Sequence, residues 1–350
     1  MARYEINIVG DPEPYRQQLV EFWRQNLPPY GTEQRFDWLN YRNPSGPPLT
    51  ALAFVPGSET IIGCGSMYPW ACSLGGAAKV LWFSSHFAVA NDHRVFGPAF
   101  AIQKTLAATL ATRGEPYAFG YPNRVSAGTL KVAGYRHLGA SHDWVRILDG
   151  GDVIRRLLPV PGLSSMAGLA FKILDATGRG WFRRSCRSYA WEIVERCDSR
   201  FDALWLRTRE RSPFLLARTS AVLNWRYAEY PDGKYRFFTV RSESSPQDAI
   251  DAHLVFTRQG RSVVIKDVFP PFPETAFPLL SRFLDEMVRE DVELVTICHW
   301  GDVRFRELLK RMFFVKRPVY RDYYFRNASE AAGQPETLLT KSGDVSLFFG

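Results

Sequence analysis

One short run of the sequence has the residue types of an anion-binding turn, and its residues are Arg94, Val95, Phe96, Gly97, Pro98 and Ala99. The run joins an apolar stretch at residues 80–90 to a helix-like stretch at residues 100–112. Backbone N–H groups and the positive end of the helix dipole attract phosphate at such a strand-to-helix turn. Gly97 would allow a tight turn and a close approach of the ligand. We therefore predict that the N–H groups of residues 95–99, together with the Arg94 side chain, bind an anion.

Several other kinds of active site lack the residues that they would need. The sequence has neither a Gly-x-Ser-x-Gly nucleophile motif nor a Gly-x-x-x-x-Gly-Lys-Ser/Thr phosphate-binding loop. Its five cysteines form no Cys-x-x-Cys pair, and its six histidines have no metal-ligand spacing. We therefore expect reduced core thiols and no metal site.

The size, composition and charge of the chain limit its class. With 350 residues, of which 46% are hydrophobic and 14% aromatic, the chain is long enough for two well-packed domains. It has no apolar run of about 18 residues and no apolar leader, so we expect a cytoplasmic protein. A net charge of +8 favours anionic partners such as phosphates, tRNA or a membrane surface, although arginine richness also serves solubility.

The elements that would position the turn occur twice. The pattern Trp-x-x-x-x-x-Pro-x-Gly is found at residues 38–46 and again at residues 225–233, and residues 131–135 resemble residues 310–314. The same order of strands and helices is predicted after each copy, which indicates a duplicated domain with a mixed sheet and helices on both faces. We place the segments at residues 1–149 (first domain), 150–185 (helical connection), 186–327 (second domain) and 328–350 (tail).

Residues 4–148 resemble the GNAT superfamily of N-acyltransferases. The resemblance rests on the strand at residues 78–89 that leads into the Arg94-x-x-Gly97-x-Ala99 turn, on Asn123 after a second strand, and on Lys131-x-x-Gly134-Tyr135, one residue longer than the family's Lys-x-Gly-Phe ending. It implies an α/β fold of two tandem GNAT-like domains. Each would be a mixed, mostly antiparallel sheet flanked by helices, with its fourth and fifth strands splayed apart.

The second half resembles the same fold but differs at the position of the turn. It has Phe269-Pro-Pro-Phe-Pro-Glu there, without a glycine. Proline has no N–H to offer a phosphate. We therefore expect the second copy to be degenerate for the cofactor.

The resemblance also implies where a co-substrate lies. Acetyl-CoA or another acyl-CoA would lie between the splayed strands and pair with the fourth strand like an added strand. Backbone N–H groups of Phe87, Ala88 and Val89 would face the thioester carbonyl and stabilise the developing oxyanion. Asn123 and the turn at residues 94–99 would complete the cofactor site.

Three residues are candidates for proton transfer. His86, on the fourth strand, has an ordinary pKa of about 6.5 and is the best-placed general base, unless it is a hydrogen-bonded structural histidine. The family often has a tyrosine as general acid four residues before the glycine of its last motif, but this sequence has Leu130 there. We expect Tyr121 or Tyr117 to replace it, or the thiolate to leave unaided.

These features predict an acyl-CoA-dependent N-acyltransferase. It would move an acyl group, acetyl in the first place, directly to an amine of a small molecule or of a sugar or natural-product precursor. Two alternatives remain open: a transferase that uses aminoacyl-tRNA, as do the Fem-type enzymes with two such folds, and a non-catalytic coenzyme A-binding or scaffold protein.

Two further regions bear on partners. Basic stretches at residues 179–211 and 304–326 would suit tRNA, but we expect them not to form one continuous track. A helix at residues 164–174, with basic residues as far as residue 184, would lie on a membrane surface or, in our preferred interpretation, pack at the domain interface. The acceptor, the acyl length and the oligomeric state are left open.

Overall fold

The computed structural model describes residues 4–28, 30–94, 96–149, 186, 188–212, 214–300 and 302–327. The predicted connection at residues 150–185, its helix included, and the tail at residues 328–350 lie outside these ranges. No helix within the described ranges is long and apolar enough to cross a membrane.

The first part of the chain begins with a strand and two helices and then alternates strands with helices. Its helices are α1 (Arg16–Asn26), α2 (Glu33–Tyr41), α3 (Phe96–Thr112) and α4 (Arg124–Val132). Its strands are β1 (Glu5–Val9), β2 (Leu49–Phe54), β3 (Gly63–Leu74), β4 (Ala77–Val89), β5 (Tyr117–Gly120) and β6 (Arg136–Ile147).

The second part repeats this order after a first strand and helix. Its helices are α5 (Ser199–Thr208), α6 (Ser220–Leu223), which continues into a π-helical turn (Asn224–Ala228), α7 (Pro273–Arg289) and α8 (Val303–Arg311). Its strands are β7 (Tyr189–Val194), β8 (Phe214–Leu216), β9 (Arg236–Ser242), β10 (Ala252–Gln259), β11 (Ser262–Phe269), β12 (Leu294–His299) and β13 (Val315–Asn327).

All of these strands belong to one sheet. Its order is β1-β2-β3-β4-β5-β13-β6-β12-β11-β10-β9-β7, with β8 paired to the end of β3. Among the described pairs, β4–β5 and β11–β12 are parallel and the others antiparallel. The last strand of each part is inserted into the other part, because β13 lies between β5 and β6, and β6 lies between β13 and β12. The domain boundaries therefore stay a prediction.

The two repeated tryptophan motifs meet face to face. The indole rings of Trp38 and Trp225 stack with centroids 5.0 Å apart and planes 18° from parallel. The Trp38 Nε1–H donates to the Trp225 carbonyl oxygen at 2.6 Å, and the Trp225 Nε1–H donates to the Trp38 carbonyl oxygen at 2.9 Å. The two motifs are thus joined by ring stacking and by a reciprocal pair of hydrogen bonds.

The ends of α4 and α8 have the same backbone conformation. The Gly134 N–H donates to the Lys131 carbonyl oxygen, and the Phe313 N–H donates to the Lys310 carbonyl oxygen. Gly134 has a φ of +89° and Phe313 a φ of +61°. Both helices thus end in a left-handed residue, although only the first has the glycine that this conformation favours.

The core lies on both faces of the sheet. Along β4, Leu81 and Phe83 belong to a cluster under α1 and α2, whereas Trp82 belongs to a cluster that includes Ile102 of α3. Alternate residues of a strand face opposite sides of its sheet, so the two clusters flank β4. The cluster under α1 and α2 also contains Trp225 of the second part, which ties the two parts together.

Candidate active site

The strands β4 and β5 are paired over only a short region. Their paired residues are Trp82 with Ala118 and Phe83 with Phe119. Beyond this point β4 continues to Val89, whereas β5 ends at Gly120. Residues 84–89 therefore have no partner on β5, and a splay of the two strands beyond this point stays a prediction.

A bulge bends β4 within this unpaired region. Cys64 of β3 pairs with Ala88 and Ser66 pairs with Ser85, so the register shifts between them. His86 lies in the bulge with a φ of +49°, a conformation that non-glycine residues adopt rarely. Opposite the bulge, a Cβ on Gly65 would lie 2.8 Å from the Ile102 side chain. A glycine is therefore required at that position for α3 to pack against β3.

A cavity of about 110 Å³ opens at the bulge. Side chains from the segment between α1 and α2, from α2, β3 and β4, from the residue after β5 and from the second tryptophan motif line it. Those that matter for its chemistry are Tyr30, Arg35, Tyr68, His86, Tyr121 and Tyr230. Both halves of the chain thus contribute to one small, largely aromatic chamber at the place where β4 loses its β5 partner.

His86 is surrounded by aromatic rings. Its ring centroid lies 4.9 Å from that of Trp23, 5.4 Å from that of Tyr30 and 5.5 Å from that of Tyr68. The residue as a whole is half-buried, but both ring nitrogens are fully buried and have no hydrogen-bond partner among the residues that the structure describes. This burial, assisted by the Arg35 charge, lowers the pKa of His86 to about 3. The expectation of an ordinary pKa is therefore wrong for this ring, which is uncharged at neutral pH.

Arg35 of α2 links the chamber to the second half of the chain. Its side chain is only 5% exposed, and its Nε–H donates to Asp232 Oδ2 at 2.8 Å. It also donates to the Tyr230 hydroxyl, and its guanidinium lies over the rings of Tyr30 and Tyr230, 4.2 and 5.2 Å from their centroids. The carboxylate and the two rings stabilise a charge that would otherwise be costly to bury.

The structure separates the two tyrosine candidates. Tyr121 follows β5, lines the same cavity as His86, and has its ring 5.2 Å from that of Phe83. Tyr117 lies at the opposite end of β5, where its ring stacks on Phe325 at 6.3 Å, and it does not line the cavity. Of the three predicted residues, the structure thus places His86 and Tyr121 in one cavity and Tyr117 outside it. Leu130 is buried in the core with Ile102 and cannot transfer a proton.

The predicted anion-binding turn forms the start of α3. Gly97 is the second residue of this 17-residue helix and is exposed, with no left-handed φ. It is therefore not needed for a tight turn, and a Cβ there would lie 3.2 Å from the Tyr4 ring. Arg94 is exposed and its Nε–H donates to the Val89 carbonyl oxygen at 3.1 Å.

The remaining residues of the turn differ in how deeply they are buried. Pro98 is buried and Ala99 half-buried. Val95, as well as the side chain of Phe96, lies outside what the structure describes. Since proline has no N–H, Pro98 cannot contribute to binding as predicted, and the backbone N–H groups of Gly97 and Ala99 are the described ones at the helix start.

The Asn123 side chain is hydrogen-bonded to the backbone of helix α4. Its Oδ1 accepts the N–H groups of Val125 and Ser126 at 3.0 and 2.9 Å, which makes it the N-cap of α4. The side-chain oxygen is therefore used by the helix, and a role of Asn123 in cofactor binding stays a prediction that would involve its amide nitrogen.

Sequence reasoning missed Arg35, Tyr230 and Asp232. Tyr230 and Asp232 are part of the second tryptophan motif, so the repeat marked the segment without indicating its role. Phe87, Ala88 and Val89 do lie on β4 beyond its last β5 partner, as expected.

Comparison with known proteins gives no match by sequence and clear matches by structure. No family model matches the chain, and no curated protein matches it significantly. A probable N-acyltransferase of unknown function from Enterococcus faecalis matches with a TM-score of 0.66 at 11% identity, over 93% of this chain and 72% of that one. A GCN5-related N-acetyltransferase from Anabaena variabilis matches with a TM-score of 0.66 at 14% identity, over 93% and 73%.

A third structure, Eis1 from Mycobacterium abscessus, matches with a TM-score of 0.57 at 17% identity, over 93% of this chain and 73% of that one. The chain therefore has the fold of the GCN5-related N-acetyltransferases, the GNAT fold. The predicted class, a mixed and mostly antiparallel sheet flanked by helices, is confirmed. At these identities the likeness concerns the fold, and function has to be argued from the site.

Proposed function

We propose that this protein is an acyl-CoA-dependent N-acyltransferase that moves a short acyl group, acetyl in the first place, directly to the amine of a small molecule. The observation that carries the proposal is the chamber at the β4 bulge, which opens where β4 loses its β5 partner. The solved structures with the same fold, one of which is named as an N-acetyltransferase and another as a probable N-acyltransferase, support the same kind of reaction.

The unpaired part of β4 fits an extended donor molecule. Backbone groups of residues 84–89 have no partner on β5, so a pantetheine chain can pair with them as an added strand would. The N-terminus of α3, with exposed Arg94 and Gly97, follows β4 closely and fits the phosphates at the other end of the donor.

The volume of the chamber suits a short acyl group. A water molecule occupies about 30 Å³ in the liquid, so a cavity of about 110 Å³ has the room of roughly four waters. That space accommodates an acetyl or propionyl group. The two buried nitrogens of His86, which have no partner within the described part of the chain, fit a polar group of the substrates.

The chamber also supplies groups for proton transfer. With its pKa lowered to about 3, the His86 ring is too weak a base to hold a proton at neutral pH. Its lone pair would instead orient the attacking amine by accepting a hydrogen bond, and the proton would pass to water as the amine attacks the thioester carbon. The Tyr121 hydroxyl can donate a proton to the sulfur as the C–S bond breaks. Backbone N–H groups of residues 87–89 would stabilise charge on the carbonyl oxygen. We propose acceptors among amino sugars and other small primary amines.

Release of free thiol from acetyl-CoA, with a panel of amines, tests this proposal. Replacing Tyr121 with Phe should lower kcat about a hundredfold without changing the affinity for acetyl-CoA. Tyr117→Phe is the matched control, because it is the same change at the end of β5 that does not line the cavity, and it should leave kcat unchanged. Equal effects of the two changes would contradict the assignment of Tyr121.

Donor binding is tested separately by calorimetry. Gly97→Glu should abolish coenzyme A binding, because it adds bulk and negative charge at the start of α3. Gly10→Glu adds the same side chain where a Cβ would contact nothing within 4 Å, and should bind normally. If folded wild-type protein bound no coenzyme A, the proposed function would be wrong.

The aminoacyl-tRNA alternative predicts a different salt dependence. Binding to many phosphates would weaken by roughly three to five decades between about 50 and 200 mM salt. A donor with few phosphates should show only a modest dependence. Tight, salt-sensitive tRNA binding that is lost on changing Arg317, Arg321 and Arg326 to Glu would overturn our first choice.

A further inference from the structure

A second and larger cavity lies in the other half of the sheet. Its volume is about 480 Å³, and it is lined by α8, β6, the end of β12 and the start of β13. Its β6 wall consists of alternate residues, Ala140, His142 and Trp144, which face the same side of the strand. No side chain is shared with the chamber around His86, so this is a separate candidate site.

The cavity has an excess of positive charge. Arg306 and Lys310 of α8 and Lys316 of β13 line it together with one carboxylate, Glu307. That carboxylate lies 2.8 Å from the Lys310 ammonium. Arg306 and Lys316 have no ion-pair partner within the described ranges, and their charges add to burial in lowering the pKa of His142. Two cations are thus available to an anion that enters.

His299 adds a buried acceptor to the same cavity. Its side chain is only 2% exposed, and its Nε2 lies 3.0 Å from the Asp302 carbonyl oxygen. A carbonyl can only accept, so Nε2 carries the proton and Nδ1 has a free lone pair. Nδ1 is buried without a partner among the described residues. A buried acceptor of this kind requires a donor such as a hydroxyl group.

The charge is particular to this half of the chain. Since α4 and α8 end alike at Lys131 and Lys310, their residues can be compared position by position. Ala127 and Gly128 of α4 then correspond to Arg306 and Glu307 of α8. The duplicated fold therefore does not by itself require charged side chains here.

We propose that this cavity binds a small anion that bears hydroxyl groups, of the class of sugar phosphates. Arg306 and Lys316 hold the anionic group, and Nδ1 of His299 accepts a hydrogen bond from a hydroxyl group. The buried indoles of Trp144 and Trp300 form the apolar wall against the body of the ligand. The volume of the cavity suits a molecule of this size.

Calorimetry with the full chain and three probes tests the proposal: glucose 6-phosphate, glucose and inorganic phosphate. The Gly97→Glu background is used throughout, so that phosphate binding at α3 does not contribute. We expect glucose 6-phosphate to bind at least tenfold more tightly than either of the other two probes. Absence of glucose 6-phosphate binding would overturn the proposal, and equal binding of phosphate would overturn its hydroxyl-recognising part.

Variants of the two cations complete the test. Arg306→Gln and Lys316→Gln should each weaken glucose 6-phosphate binding about tenfold, because each removes a charge-assisted hydrogen bond. Arg304→Gln is the matched control, since Arg304 is exposed on the same helix but does not line the cavity. Equal losses in all three variants would mean unspecific attraction to a basic surface and would contradict the site.

Discussion

The two halves of the chain share an order of elements but differ at the ends of their corresponding strands, β4 and β11. In the first half, β4 bulges at His86 and opens into a chamber, and an exposed Gly97 lies at the start of α3. In the second half, β11 bears Asp267 in a fully buried ion pair with Arg218, with N–O distances of 3.2 and 3.3 Å. Two prolines, at residues 270 and 271, precede α7.

This difference shows that the fold and the site are encoded separately. The same order of elements has an open chamber beside β4 in one half and a buried ion pair on β11 in the other. The two strand ends therefore differ in their side chains and not in the order of the elements around them. The predictions below test the contact between the halves first and then the differences between them.

The largest effect is expected at the contact between the halves. Trp225→Ala should destabilise the protein by about 4 kcal/mol, since it removes a buried indole, its stacking on Trp38 and one of the two reciprocal hydrogen bonds. Urea unfolding measures this cost. Trp191→Ala, which removes a half-buried indole stacked on Phe238, should cost clearly less. A cost below about 1 kcal/mol for Trp225→Ala would contradict a central role of this pair.

The buried ion pair of the second half gives the next effect. Asp267→Ala should cost about 3 kcal/mol, because it leaves the Arg218 guanidinium buried without its carboxylate. The double change Arg218→Met with Asp267→Leu should recover most of that stability. Glu307→Ala breaks an exposed pair with Lys310 and should change stability very little. If the double variant were less stable than Asp267→Ala, the ion pair would stabilise the protein by more than its packing in the core.

The two halves each contain a buried histidine that makes stability depend on pH. Burial lowers the pKa of His86 and of His253 to about 3. The unfolded chain takes up these protons at about pH 6.5, so the stabilising effect of the neutral rings is present above that pH and is lost as the pH falls towards 3. Each ring should contribute a slope of about 1.4 kcal/mol per pH unit. His253→Leu should remove one such slope, and an unchanged pH profile would disprove the assignment.

A smaller effect tests the equivalence of α4 and α8. Asn123 caps α4, and Asp302 caps α8 through the Arg304 N–H at 2.7 Å. Asn123→Ala and Asp302→Ala should each cost about 1 kcal/mol by thermal unfolding. Asn123→Ser keeps a capping oxygen and should cost little. If Asn123→Ser nevertheless weakened coenzyme A binding, the predicted role of the Asn123 amide in the cofactor site would be supported.

The smallest effect is a gain of stability at the end of α8. Phe313 is 64% exposed and has a φ of +61°, where its first-half counterpart is Gly134. Phe313→Gly should stabilise the protein by about 0.5–1 kcal/mol, because glycine adopts this conformation without steric cost. The opposite change, Gly134→Ala, should destabilise it by a similar amount. A loss of stability in Phe313→Gly would show that the contact of its ring with Arg146, 5.8 Å from the centroid, outweighs the strain.

Local patterns predicted much of the secondary structure but not all of it. The sequence predicted the strands on either side of the turn and helix α3, and the observed ends of these elements differ from the predicted ones by only a few residues. Helix α2 was missed, although Thr32 is a visible N-cap residue, because its aromatic residues did not form a clear apolar stripe. The place of β13 between β5 and β6 could not be predicted, since it depends on pairing between segments far apart in the chain.

The sequence by itself determined the class of fold, the repeated tryptophan motif and the position of His86 on the strand beside the predicted turn. These depend on local periodicity and on short motifs that act over a few residues. Only the tertiary structure decided which of the two candidate tyrosines lines the same cavity as His86, that Arg35 of one half pairs with Asp232 of the other, and that His86 is uncharged. Burial and charge at a residue depend on every element packed around it, so no local pattern contains them.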